Sequence, residues 1–149
     1  MMKILSSKRL SLYFCILLSA TNAESGSAAR PDKFPPCPNS PNCVSTQSTD
    51  KARFIEPLHY VGSLAVARQK IISILKNTKR MLLVKVETNY IHAEFRSLIF
   101  QFVDDAEFYF PPEKTIIHVK SASRKGYYDF GANRRRVERL RSTFESLAQ

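Results

Sequence analysis

Three groups of side chains in this sequence are of types that could do chemistry. The first is His92, Glu94, Glu107 and His118. Imidazole and carboxylate together can hold zinc, but no tight spacing motif accompanies them. Solvated or ion-paired side chains are the preferred reading, and no metal or other cofactor is expected. The second group is Ser121 or Ser123 with His118 and Asp104, the residue types of a hydrolytic triad. No Gly-x-Ser-x-Gly elbow is present, and serine and histidine on one strand do not converge freely, so no catalytic residue is assigned. The third group is basic: Arg96, Lys120, Arg124, Arg134 and Arg135. Around it stand the neutral hydrogen-bonding residues Ser121, Ser123 and Asn133 and the acids Asp104, Asp105, Glu107 and Asp129.

The basic group has two readings that are not exclusive. In one, Asp104 and Asp105 receive Arg124 or Arg134 in bidentate pairs that bolt the last helix to the strands. In the other, the arginines and the helix start form a pocket for a phosphate or a carboxylate. The acids nearly balance the bases locally, which favours the first.

The elements that must position these residues follow from periodicity. Residues 116–136 contain a strand with Ile117 and Val119 on one side, a loop bounded by Gly126 and Gly131, and a helix start with Asn133 as cap candidate. That helix opens with Arg134, Arg135 and Arg136, against the partial positive charge of its own N-terminus, so each guanidinium needs an answering group. Its apolar stripe is Val137, Leu140, Phe144 and Leu147. A second amphipathic helix carries Leu64, Ala67, Ile71, Ile74 and Leu75 on one face, with Ser63 as its cap. Between the helices, four segments alternate: Leu82, Val84 and Val86; Ile91, Ala93 and Phe95; Ala106, Phe108 and Phe110; Ile117 and Val119. Residues 98–102 are too apolar for a free loop and are expected to fold back onto the core. The expected fold is α+β: a four-stranded antiparallel meander with two helices packed on one face, preceded by an extended Pro/Cys-rich segment. The opposite face would carry Lys85, Tyr90, His92, Glu94, Asp105, Glu107, Tyr109, His118 and Lys120, mixed in sign as cross-strand pairing requires.

Composition limits the setting. With 149 residues, 44% hydrophobic, the chain supports one modest domain. Lys3, Lys8 and Arg9 precede an apolar run and the small residues Ala20 and Ala23, the pattern of a signal peptide over residues 1–23. An uncleaved N-terminal membrane anchor is the alternative. Residues 24–34 read as a linker and 35–149 as the domain. Cleavage removes three basic residues and no acidic one from a chain with 23 Lys plus Arg and 13 Asp plus Glu, leaving a net charge of +7. Export to the periplasm or beyond makes nucleic acid an unexpected partner. An anionic small molecule, a lipid head group or an envelope polymer fits the charge better. Cys37 and Cys43 would then be the two remaining cysteines in an oxidising compartment, and a disulfide between them is expected.

Several ordered runs carry a family resemblance. They are Pro36-Cys37-Pro38-Asn39-Ser40-Pro41-Asn42-Cys43-Val44-Ser45, Tyr90-Ile91-His92-Ala93-Glu94-Phe95-Arg96-Ser97, Phe102-Val103-Asp104-Asp105-Ala106-Glu107-Phe108, Ser121-Ala122-Ser123-Arg124 with Gly126-Tyr127 beyond, and Asn133-Arg134-Arg135-Arg136-Val137-Glu138. From about Pro35 to Leu140 the chain resembles the domain-of-unknown-function family 1499 of bacteria and plastids. Ala106, where an aliphatic residue is expected, is a minor departure. The resemblance implies a stand-alone small domain and names no substrate. The functional expectation is a non-enzymatic binding or envelope-associated module holding an anionic group through Arg124, Arg134 and their neighbours. The alternative is a small hydrolase-type enzyme using His118 with Asp105 or Glu107.

Overall fold

The computed structural model describes residues 34–147, all within the compact unit Pro31–Gln149. The signal peptide and nearly all of the linker read from the sequence lie outside the described residues. The elements run β1 (Cys43–Ser45), β2 (Leu58–His59), α1 (Leu64–Lys76), β3 (Met81–Val86), β4 (Tyr90–Arg96), β5 (Val103–Tyr109), β6 (Ile116–Ser123) and α2 (Ala132–Ser146). The chain is α+β, with one antiparallel sheet and two helices.

The sheet has six strands rather than four. β3, β4, β5 and β6 form the expected meander, and β1 and β2 both pair with the remaining edge of β6. Three- and two-residue strands carry no period that could announce them, and β1 lies inside the Pro/Cys-rich segment. Together they cover an edge that an eight-residue strand would otherwise leave open to another chain. The Cys37–Cys43 disulfide closes the loop leading into β1, with Cα atoms 5.7 Å apart.

On β4, β5 and β6 the alternation is as read: Ile91, Ala93, Phe95, Ala106, Phe108, Ile117 and Val119 are buried. They form one core with Ala67, Ile71, Ile72 and Leu75 of α1 and Val137, Leu140 and Phe144 of α2, so both helices cover the same face. Ser63 caps α1, its hydroxyl accepting from the Val66 N–H at 3.3 Å.

Two expectations fail. On β3 the parity is reversed: Met81 and Leu83 pack toward the core while Leu82, Val84 and Val86 are largely exposed. The run Met81-Leu82-Leu83-Val84 is apolar throughout and carries no alternation, and a bulge between Leu83 and Lys85 shifts the register. Residues 98–102 do not fold back either. Leu98, Ile99 and Phe100 are 67–78% exposed at the tip of the β4–β5 connection.

Candidate anion-binding site

The start of α2 is built around two residues on its buried stripe. Asn133 is fully buried and is not the cap; Gly131 holds that position, in the left-handed region, and the Asp129 carboxylate two residues earlier accepts the N–H groups of Gly131 and Asn133, both at 2.9 Å. The carboxylate also supplies the negative charge that a helix N-terminus favours. The Asn133 amide oxygen accepts from Ser121 Oγ at 2.7 Å and from Arg136 Nη1 at 2.5 Å. Its Nδ2 lies within 3.0 Å of Asn42 O, Ser123 Oγ and Asp129 Oδ2. One side chain therefore ties the residue leading into β1, β6, the β6–α2 connection and α2 together. Arg136 completes the group: it donates to Asp104 at 2.5 Å and to Ser121 Oγ at 3.0 Å, and its guanidinium stacks 4.6 Å from the Phe95 ring.

Each of the three first-turn arginines thus has an answer. Arg134 donates to the backbone carbonyls of Ala52 and Phe54, at 2.8 and 3.0 Å. Arg135 donates to Phe130 O at 2.6 Å. Arg136 has Asp104.

Asp105, the next residue along β5, points to the other side of the sheet. There Arg124 grips it with two bonds of 2.8 and 2.7 Å and also reaches Glu94. His92 donates its Nε2–H to Asp105 Oδ1 at 2.7 Å. Burial opposes ionisation of Asp105, but the bonds from Arg124 and His92 outweigh it and hold the carboxyl below its usual range. The same carboxylates push the Arg124 pKa up, fixing its charge.

The predicted cluster is accordingly two clusters. Asp104, Ser121, Ser123 and Asn133 meet on the helix-covered face, while Asp105 and Arg124 meet on the open one. Arg124 and Arg134 share no carboxylate. Lys120 donates to Pro35 O at 2.9 Å, and Glu107 accepts from the Tyr90 hydroxyl at 2.5 Å, so both stand apart from the arginines. Arg96 lies at the end of β4 and faces a different space.

That space is a cleft of about 600 Å³ between the C-terminal end of α1, the end of β4 and the first turns of α2. Five cations line it, Lys79, Arg80, Arg96, Arg136 and Arg139, against the single carboxylate Asp104. Ser97, Thr78 and Thr143 add hydroxyls, and Phe95 and Leu140 form part of its wall. The sequence reading missed Arg136 as a member of the site, along with Lys79, Arg80 and Arg139. A signal for Arg136 existed: extending the stripe Val137, Leu140, Phe144 backward by one turn places Asn133 and Arg136 on the core-facing side, where a polar side chain must find partners.

His118 lies in a second cleft, of about 690 Å³, under the Pro/Cys-rich segment at the opposite end of the sheet. Its Nδ1 is 3.0 Å from Thr46 Oγ1, and its ring lies parallel to that of Tyr109. Burial, helped by the charge of Lys114, lowers its pKa. Neither suggested partner reaches it. Asp105 stands opposite Ala122, about 13 Å further along the strand, and is engaged by Arg124 and His92. Glu107 stands opposite Lys120. Among the described residues no three His, Cys, Asp or Glu side chains come together as a metal site.

No curated protein and no solved structure gives a significant match to this chain. The sequence profile of one family, described as proteins of unknown function (DUF1499), matches residues 33–144, which span every strand and all but the end of α2. The chain that folds into this two-faced sheet belongs to that family.

Proposed function

We propose that this domain is a non-enzymatic binding module, and that the group it holds is a phosphate or carboxylate seated in the cleft between the end of α1 and the start of α2. The observation that carries the reading is the charge of the lining. Asp104 is engaged by Arg136, and among the described residues no carboxylate contacts Lys79, Arg80, Arg96 or Arg139. Arg80 donates to the Arg96 carbonyl at 3.3 Å, but four cations with no carboxylate among them repel one another around one opening, and an entering anion relieves that repulsion. Arg136 is already immobilised by Asp104, Asn133 and Ser121, so it presents its charge at small further entropic cost. The lining offers hydroxyls and guanidinium groups but no imidazole, which supports binding rather than proton transfer. The basic start and apolar run of residues 3–18 support an envelope location.

Thermal melting in inorganic phosphate and in citrate, at ionic strength matched with chloride, tests the reading. Both anions should raise the melting temperature of the wild type. Arg96→Ala combined with Arg139→Ala should abolish that rise while moving the anion-free melting temperature little. Equal melting in phosphate, citrate and chloride would sink the proposal.

A further inference from the structure

The same end of the molecule carries an apolar surface that neither the core nor the cleft uses. The β4–β5 connection, residues 97–102, presents Leu98, Ile99 and Phe100. The β6–α2 connection, residues 124–131, presents Tyr127, Tyr128 and Phe130. The Arg124 N–H donates to Val103 O at 3.0 Å, so the two connections leave the sheet side by side from adjacent strands. At roughly 200 Å² per ring residue, these aromatic side chains together with Phe102 expose on the order of 650 Å². Spread over two neighbouring loops, that total is on the scale at which exposed apolar surface marks an interaction site.

Backbone geometry and charge mark the same place. The three non-glycine residues with positive φ among the described residues are Arg80, Gln101 and Phe130, all in connections at this end. Phe130 at φ 53° holds a bulky ring 78% exposed in a conformation that glycine or asparagine would adopt with less strain. The first loop is closed on itself: Ser97 N–H donates to Phe102 O and Phe102 N–H to Ser97 Oγ, both at 2.9 Å, and the Gln101 amide donates to Leu98 O at 3.1 Å. These bonds pin the base of the loop and leave its apolar tip projecting. Around the two tips stand Lys79, Arg80, Arg96, Lys125 and Arg135, while the nearby acids Glu94, Asp104, Asp105 and Asp129 are engaged by Arg124, by Arg136 or by the start of α2.

The geometry points to a membrane-docking surface: the two loop tips enter the interface of an anionic lipid bilayer, and the surrounding lysine and arginine side chains meet the head groups. Phe100, Ile99 and Leu98 supply the apolar depth, and the amphipathic Tyr127 and Tyr128 suit head-group level. A second copy of this chain fits poorly, because a two-fold interface through the tips would set these cations against their own equivalents. The proposal does not depend on an anion occupying the cleft.

The chain contains no tryptophan, so Phe100→Trp in the full-length protein places one reporter at the tip. Val61→Trp, at a residue 98% exposed beside the other end of α1, is the control, and Tyr128→Trp serves if the first variant folds poorly. On vesicles of phosphatidylcholine containing phosphatidylglycerol, emission from position 100 should shift to the blue and be quenched by brominated acyl chains. Emission from position 61 should not change. Lys125→Glu should weaken vesicle affinity about tenfold, and added salt should do the same. Water-like emission from the tip at saturating vesicles would overturn the proposal, as would an equal shift on pure phosphatidylcholine. A shift that grows with protein concentration without lipid would assign the patch to a second copy and overturn it too. Loss of phosphate stabilisation in Arg139→Ala with the blue shift retained would separate this surface from the cleft.

Discussion

Asp104 and Asp105 are neighbours of one type on one strand, and their surroundings differ in almost every respect. Asp104 faces the helices: its side chain is 12% exposed and that of its partner Arg136 is 16% exposed. Asp105 faces outward: it is 25% exposed and its partner Arg124 is 44% exposed. The inner pair belongs to a group with Asn133, Ser121 and Asn42 in which no buried side-chain polar atom lacks a partner. The outer pair belongs to a cross-strand ladder in contact with water. The contrast shows how little an ion pair's geometry says about its value. Removing one member of the inner pair strands a charge in a poor solvent, whereas removing a member of the outer pair lets water take its place.

The largest effects should therefore come from the inner group. Asn133→Ala leaves the Asn42 carbonyl, the Ser121 and Ser123 hydroxyls and the Arg136 guanidinium short of partners at once, and Arg136→Ala leaves Asp104 unpaired. Each should cost about 3–5 kcal/mol in urea-induced unfolding. Replacing Asp104 and Arg136 together by apolar residues of similar volume should cost less than either single change, because no charge is then stranded. A double replacement that costs the sum of the two singles would show that the pair is not coupled and would erase the distinction between the faces.

The outer face was legible in the sequence and the inner group was only half so. Strand parity on β4, β5 and β6 follows from a strict period of two, and it placed His92, Glu94, Asp105, Glu107, Tyr109, His118 and Lys120 together. The same rule says that adjacent residues 104 and 105 cannot serve one cluster, which separates Arg124 from the residues at the start of α2. Pairing of Asp104 with Arg136 spans 32 residues with no local spacing to reveal it. The type of Asn133 suits a cap, but its place on the apolar stripe of α2 buries it and gives it a different role. Residues 98–102 failed for a different reason. Hydrophobicity says that a segment favours leaving water, not which neighbour it meets.

Intermediate effects sharpen the boundary between the two regions. Cys43→Ser should cost roughly 2 kcal/mol under oxidising conditions, as expected for opening a short loop, and nothing further in reductant. Arg134→Ala removes two charge-assisted bonds to backbone carbonyls and should cost about 1 kcal/mol, since Ala52 and Phe54 are partly open to water. It should leave stabilisation by phosphate intact, because Arg134 does not line the cleft. Arg124→Ala should cost at most about 1 kcal/mol, and that cost should shrink further in high salt. A large, salt-insensitive loss at Arg124 would place the outer ladder in the same class as the inner pair.

The smallest effect is a pH slope, and it belongs to the outer face, where His118 and Asp105 both stand. Burial and Lys114 lower the His118 pKa below its ordinary 6.5, so the unfolded chain takes up a proton before the folded one does. Stability from this source is present above pH 6.5 and falls as the pH drops through the folded value. Asp105 behaves alike at a lower pH: its carboxyl is held below 3.8, so its contribution is present above that value and is lost as the pH falls beneath it. The two windows do not coincide. His118→Gln should flatten the fall just below pH 6.5 and leave the loss under 3.8 in place, as read from melting temperatures across the acid range. Unchanged melting curves in the upper window would mean that the cleft around Tyr109, Asp50, Arg53 and Lys114 admits the imidazolium as readily as water does. His118 would then lose its place among the groups that set the outer face apart.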